Sequence, residues 1–299
     1  MDIKVLKEKL WEKYLKSNDS EIKERYEHSL NVADRAVEIV RENKLDIDEE
    51  KIYVAGLVHD YAKFLTMEDF YNIVKEYDLD SNILEMNFKV LHSFLGPYVI
   101  KKELGIMDED ILKAVEFHTT GKANMDLFTE VLFVADFTEV GREGIEEVKR
   151  VAKTDLRKAV ALILDFKLNK SIRKNNKLHF NTIKAYDYYK DYLDSDEEKI
   201  NKIIKAMDHN LVKNTIIYNM KKNTPLFDYM IITTALSKQQ MDACVNYLRE
   251  EFIHSGIEKG DAWTLVDLQD VIVQIFLEEE REKYALDKLF KDLSKRVVN

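Results

Sequence analysis

The sequence predicts two domains: an all-α helical bundle over residues 1–194, then a small α/β domain with a mixed four- to five-stranded sheet over residues 195–299. Three observations predict this. Only 2 prolines and 8 glycines occur in 299 residues, which favours helices over loop-rich folds. Apolar residues recur at helical spacing through the first part, with no alternating strand pattern. Short β-branched runs then begin after Ser195.

Taken in order, the segment from Ile22 to Val40 places Tyr26, Leu30, Ala33, Val37 and Val40 at helical spacing. Ile52, Ala55 and His59 share a face, as do Phe88, His92, Leu95 and Val99. Ile111, Val115 and His118 form another set, and Leu132, Asp136 and Val140 a further one. The polar, tyrosine-rich stretch Asp187–Asp196 marks the boundary; lacking Gly and Pro, it predicts a short or partly helical linker. Ser195 and Glu198 form a capping box that opens a helix running to about Val212. Strands are expected at Thr215–Met220, Tyr229–Thr234, Trp263–Leu268 and Asp270–Leu277, the last two joined by a tight hairpin near Gln269. An amphipathic helix, Lys238–His254, lies between the second and third strands, and a final helix starts at Glu278. The element order is α-β-β-α-β-β-α.

Charge and cysteine usage narrow the function. The net charge is −10, from 46 Lys+Arg against 56 Asp+Glu, so no bulk electrostatic grip on nucleic acid is expected. A single cysteine, Cys244, allows no internal disulfide and suits a reducing compartment. No run of 18 apolar residues and no apolar leader occur, so a cytoplasmic protein without membrane spans is expected.

The chemistry gathers on the inward faces of the helical half. His28, His59, His92 and His118 lie there together with Asp60 and Asp136. One histidine on an apolar face is ordinarily a core residue. A buried carboxylate is costly unless paired or bound to a metal. Four histidines and two aspartates on successive helices share one explanation, a metal site inside a bundle. Imidazole and carboxylate without thiolate suit iron, manganese or zinc. Six ligands exceed a tetrahedral site and fit two metals bridged by a carboxylate, the usual clamp for hydrolysing phosphate esters and anhydrides. His179, His209 and His254 read as ordinary, and Cys244 as a small packing residue.

The segments Arg25-Tyr26-Glu27-His28, Val58-His59-Asp60-Tyr61-Ala62-Lys63, Leu91-His92-Ser93, Phe117-His118-Thr119-Thr120-Gly121 and Ala135-Asp136-Phe137 resemble the HD-domain phosphohydrolases. More narrowly, they resemble the YqeK-type symmetrical diadenosine-tetraphosphate hydrolases, over about residues 20–192. One departure is Thr138-Glu139-Val140-Gly141-Arg142, where the family usually has Ile-Glu-Pro-Asn-Arg. The resemblance implies that His28, His59, Asp60 and Asp136 hold one divalent metal. Asp60 would bridge to a second metal held by His92 and His118. Both metals would be iron, with manganese or another ion as alternatives. Asp60 and Lys63 would be catalytic. Arg25, Lys63, Thr119, Thr120 and Arg142 would contact the phosphates of a dinucleoside polyphosphate. A water acidified by the metals would split diadenosine tetraphosphate into two ADP. Two alternatives stand beside this: another nucleotide substrate, or a non-catalytic ribosome-binding protein with a metal-stabilised helical domain.

No catalytic cluster follows residue 196. Phe227–Thr234, Ser237-Lys238-Gln239, Trp263–Phe276 and Glu280–Leu289 resemble the ribosomal silencing factor RsfS, or Iojap, family. The likeness spans most of residues 196–293. Ala235-Leu236 replaces the family's usual glycine-containing turn. This resemblance implies binding to a ribosomal protein on the interface face of the large subunit, a block on subunit joining, and a tendency to homodimerise. An acidic domain meeting a basic ribosomal protein is electrostatically reasonable.

Overall fold

A computed structural model describes every residue except 1, 18, 141 and 299. Gly141, part of the departure noted above, therefore lies outside the described residues. The chain divides into two compact units. The first comprises Met1–Arg142, Lys149–Leu164 and Leu178–Tyr192; the second comprises Glu143–Val148, Asp165–Lys177 and Leu193–Asn299.

The helices carrying the first unit are α1 (Ile3–Leu15), α2 (Ile22–Glu42), α3 (Glu49–Val58), α4 (Met67–Glu76), α5 (Phe88–Leu104), α6 (Glu109–Phe117) and α7 (Leu127–Thr138). After them come α8 (Glu146–Val151), α9 (Leu156–Arg173) and α10 (Phe180–Tyr189). The helices open on side-chain caps where the sequence supplies an Asp or Asn. Asp48 accepts from Lys51 N–H at α3, Asp108 from Ile111 N–H at α6, Asp126 from Thr129 N–H at α7, and Asn87 from Lys89 N–H at α5. Helix α2 packs on α3 and α7, and α6 packs on α3, α5 and α7. Val32, Ala33, Ile39, Ile52, Leu57, Leu91, Leu95, Val115, Val131 and Leu132 fill the core between them. The pattern through Leu132 and Asp136 overshoots: α7 stops at Thr138, and Val140 is 76% exposed. The Thr138 hydroxyl bonds back to Val134 O, and Glu139 turns extended.

The second unit holds one six-stranded sheet rather than the four or five strands expected. Its strands are β1 (Lys213–Asn219), β2 (Tyr229–Ala235), β3 (Gly256–Lys259), β4 (Trp263–Asp267), β5 (Val271–Leu277) and β6 (Lys295–Val297), in the order β3-β4-β5-β2-β1-β6. The two extra strands are edge strands of 4 and 3 residues. They are too short and too charged to carry a periodic pattern, and take their form from pairing with β4 and β1. Strands β2 and β5 are parallel and the other pairs antiparallel. Helices α11 (Asp196–His209) and α12 (Lys238–Glu251) cover one face through Ile203, Met207, Met241, Cys244 and Leu248. Short helices α13 (Glu278–Tyr284) and α14 (Leu286–Leu289) flank the other, where Leu286 packs beside Tyr218, Ile232 and Phe276. Two covered faces explain why β2 and β5 are buried along almost their whole length.

Helix boundaries also differ from expectation. Helix α11 opens on the Ser195–Glu198 capping box but ends at His209, not near Val212. Asn210 turns its amide onto Ala206 O, and Leu211 takes a left-handed φ of 56°. Helix α12 ends at Glu251 because Phe252 is extended and buried, short of His254. The hairpin near Gln269 is present, with Gln269 at φ 77° and β4 antiparallel to β5.

An ionic cluster lies within the second unit. Lys199 pairs with Asp270 and donates to Leu268 O at 3.1 Å. Arg173 pairs with Asp267 and donates to Gln269 O. Burial pushes the Asp165 carboxyl up to about 6; Lys199 opposes this, while the Asp270 and Glu147 charges add to it. A carboxyl raised on folding makes the native state bind more protons than the unfolded one. Its contribution to stability therefore falls as pH rises from about 4 to about 6. Asp165→Asn is expected to raise the melting temperature at pH 8, by up to about 3 kcal/mol in stability, and to change it little at pH 4. Equal gains at both values would remove Asp165 as the cause.

Candidate metal centre

Five helices deliver the histidines and aspartates to one place. His28 sits in the second turn of α2, His92 in the second turn of α5, and Asp136 near the end of α7. His59 and His118 are the residues at which α3 and α6 end. Each of these two donates its Nδ1–H to the carbonyl three residues back, Gly56 and Val115, at 2.7 Å. That bond fixes the tautomer and leaves Nε2 as a bare lone pair facing the interior.

Each of these two Nε2 atoms faces the Nε2 of another histidine. His28 Nε2 and His59 Nε2 are 3.2 Å apart, and His92 Nε2 and His118 Nε2 are 3.3 Å apart. Asp60, almost wholly buried, stands between the two pairs. Its Oδ2 lies 3.6 Å from His59 and 3.9 Å from His28, and its Oδ1 lies 3.0 Å from His92 and 3.5 Å from His118. Asp136 Oδ1 joins the first pair, 3.2 Å from His28 and 3.8 Å from His59. The ligand atoms of His28, His59 and Asp60, and those of Asp60, His92 and His118, each lie within 4.8 Å of one another.

The electrostatics fit a cation-binding centre. Burial alone would raise the Asp60 and Asp136 carboxyls. The surrounding histidines outweigh it and hold both well below the usual carboxylate range. Burial drives His59 down to about 3 against the pull of Asp60, and lowers His92 as well. Both are therefore neutral ligands at pH 7. Burial also lowers His28, but the hydrogen bond and charge of Asp136 win and raise it. Asp60 Oδ1 is buried with no partner in hydrogen-bonding geometry. A buried carboxylate oxygen without a hydrogen-bond partner, beside convergent imidazole nitrogens, is the donor set that divalent transition metals take.

The other expected site residues divide. Lys63 Nζ is 3.3 Å from His92 Nε2 and 3.6 Å from Asp60 Oδ1. Arg25 reaches the centre by pairing with Asp60 Oδ2 at 2.9 Å. Thr119 Oγ1 is 3.0 Å from His118 Nε2 and 3.4 Å from His92 Nε2. Thr120 is buried, with its hydroxyl donating to Gly121 O at 3.0 Å. Arg142 is exposed, with its guanidinium over the Phe137 ring at 4.6 Å. Glu139, given no role from the sequence, stands with Oε1 3.6 Å from His28 Nδ1, the nitrogen facing away from the metal ligands. The retained Glu of the Thr138–Arg142 segment was the available signal for it. Elsewhere, His179 caps α10 by accepting from Asn181 N–H, and Cys244 is buried with its thiol pushed up to about 12 by burial.

The HD domain family model matches residues 25–155, which enclose every ligand above. The model named "ribosomal silencing factor during starvation", RsfS, matches residues 193–299. A symmetrical bis(5'-nucleosyl)-tetraphosphatase of Halalkalibacterium halodurans is 34% identical over 165 residues, 54% of this chain and 87% of that protein. The ribosomal silencing factor RsfS of the same organism is 30% identical over 105 residues, 33% of this chain and 90% of that protein. The chain joins a member of the HD family to a member of the RsfS family. A Bacillus subtilis symmetrical bis(5'-nucleosyl)-tetraphosphatase is 32% identical to the HD part over 166 residues, covering 55% of this chain and 88% of its own. Among solved structures, an HD superfamily hydrolase of Clostridium acetobutylicum described as involved in NAD metabolism superposes with a TM-score of 0.54 at 40% identity. It covers 61% of this chain and 95% of its own. Among the described residues of the HD and RsfS parts, no helix is long and apolar enough to cross a membrane.

Proposed function

We propose that the HD domain hydrolyses diadenosine tetraphosphate symmetrically to two ADP, and that the RsfS domain acts on the ribosome, the division of labour falling near residue 195. One observation carries the enzymatic reading: the two oxygens of Asp60 face two separate histidine pairs. A carboxylate so placed would be available to two metal ions at once. His28, His59, Asp60 and Asp136 would hold one ion, and Asp60, His92 and His118 the other. Iron is the expected ion, with manganese or another divalent metal as an alternative. Bound there, two divalent ions would supply positive potential and acidify water toward neutrality.

The chain's own side chains then orient the substrate. Lys63, with its ammonium beside Asp60 and His92, places a positive charge where the polyphosphate must enter. Arg25 offers a planar fork suited to a phosphate, and Thr119 a hydroxyl at the second histidine pair. Arg142 would reach the outer phosphates from the exposed end of α7, and Thr120 would act through the His118–Gly121 turn. Concentrating the cations locally suits a chain of net charge −10 that must bind a polyanion.

The test is product identity. With Mn2+ or Fe2+ restored, purified full-length chain should convert diadenosine tetraphosphate to ADP alone. AMP with ATP would overturn the symmetrical reading, and intact substrate would overturn the enzymatic one. For the RsfS domain, the match over 193–299 supports binding to a protein on the interface face of the large subunit and a block on small-subunit joining. The full chain should pellet with isolated large subunits and suppress their joining. Its absence from the pellet would remove this half of the proposal.

A further inference from the structure

Helix α1 precedes the residues that match the HD model, yet one of its side chains reaches the metal centre from behind. Tyr14 is fully buried, and its hydroxyl donates to the main-chain carbonyl of Asp60 at 3.0 Å. The same carbonyl accepts Lys63 N–H at 2.9 Å, so both of its lone-pair directions are used. Ser29 Oγ lies 3.3 Å from the Tyr14 hydroxyl and 3.1 Å from Arg25 O, and shares its one proton between these two acceptors because the Tyr14 proton goes to Asp60 O. A single phenol therefore ties α1 to the Asp60–Lys63 turn and to the stretch of α2 that carries Arg25 and His28. The ring itself packs edge-on against Phe64, with centroids 5.1 Å apart. Phenylalanine would fill that space equally well, so packing does not account for the hydroxyl. A buried phenol needs a partner, and this one is spent on the backbone of the residue shared by both histidine pairs.

We infer that Tyr14 is a positioning residue of the metal centre. Its hydroxyl holds the Asp60–Lys63 turn so that the two Asp60 oxygens face separate histidine pairs and Lys63 stays beside them. The inference rests on the metal-centre reading above, but its main test needs no substrate. Mn2+ is titrated into metal-stripped full-length chain and the free ion is followed by electron paramagnetic resonance. Tyr14→Phe should bind Mn2+ about tenfold more weakly, the usual scale for losing a group that orients a ligand. With diadenosine tetraphosphate as substrate, kcat should fall by a similar factor while KM stays within about twofold. Leu10→Ala serves as the structural control, because Leu10 is fully buried on the same helix and its side chain carries no hydrogen-bonding group. It should lower the melting temperature and leave Mn2+ affinity near that of the native chain. Native-like Mn2+ affinity in Tyr14→Phe, or a loss no greater than in Leu10→Ala, overturns the positioning role. A native chain that leaves diadenosine tetraphosphate intact overturns the proposed function instead, and the Mn2+ comparison still decides Tyr14.

Discussion

Asp60→Ala is expected to abolish hydrolysis of diadenosine tetraphosphate, lowering the rate by at least about 10³-fold, and to leave neither metal position filled. Every other ligand serves one side of the centre. Asp60 alone presents one oxygen to His28 and His59 and the other to His92 and His118. Its loss also removes the only aspartate facing the second pair in the described geometry. Metal content and the rate of ADP formation, measured on the same preparation, check both parts. Asp136→Ala is the informative comparison, because the ion pairs of Asp136 among the described residues are with His28 and His59. It should deplete the first position and spare the second. An Asp60→Ala chain that keeps one ion per molecule and activity within tenfold of native would remove Asp60 from its bridging role.

Gly56→Ala is expected to destabilise the HD domain by about 3 kcal/mol or more and to scatter the first histidine pair. A Cβ at this position would meet Ala33 Cα at 2.5 Å and Ala33 N at 2.8 Å, both of them backbone atoms of α2. No rotamer change relieves that clash, so α3 must move away from α2. The Gly56 carbonyl also receives His59 Nδ1–H. The displacement would therefore carry His59 away from His28, which sits on the helix being pushed off. Thermal melting and Mn2+ titration together measure the effect. A native melting temperature would show that the two helices can separate without cost.

Much of this was legible in the chain. The helical spacing of His92, Leu95 and Val99, and of Ile111, Val115 and His118, places histidines among core residues. Those residues are buried in the structure. The ordered histidines and aspartates point to a candidate metal centre because few other arrangements compensate for burying Asp60. The capping box at Ser195 and the hairpin at Gln269 follow from local turn chemistry. What stayed illegible is what depends on a distant partner. Strands β3 and β6 owe their form to neighbours across the sheet, so Gly256–Lys259 and Lys295–Val297 show no periodicity of their own. Helix α9 runs on beyond Leu164, and its residues from Asp165 belong to the second compact unit. No composition shift marks that point. Thr120 and Thr119 are adjacent and chemically alike. Only the backbone path sends one hydroxyl to Gly121 O and the other to the histidines.

The sequence by itself determined the two families, the order of the longer elements and the types of the candidate ligands. These are properties of residue identity and spacing, and they survive without coordinates. Tertiary structure decided the division of Asp60 between two histidine pairs, the pairing of Arg25 with that same carboxylate, and the reach of Tyr14 from α1 to the Asp60 carbonyl. Each joins residues from separate helices, at distances where a shift of one ångström changes the chemistry. Spacing along a chain fixes which face a side chain occupies. Only packing fixes which atom on another helix it meets.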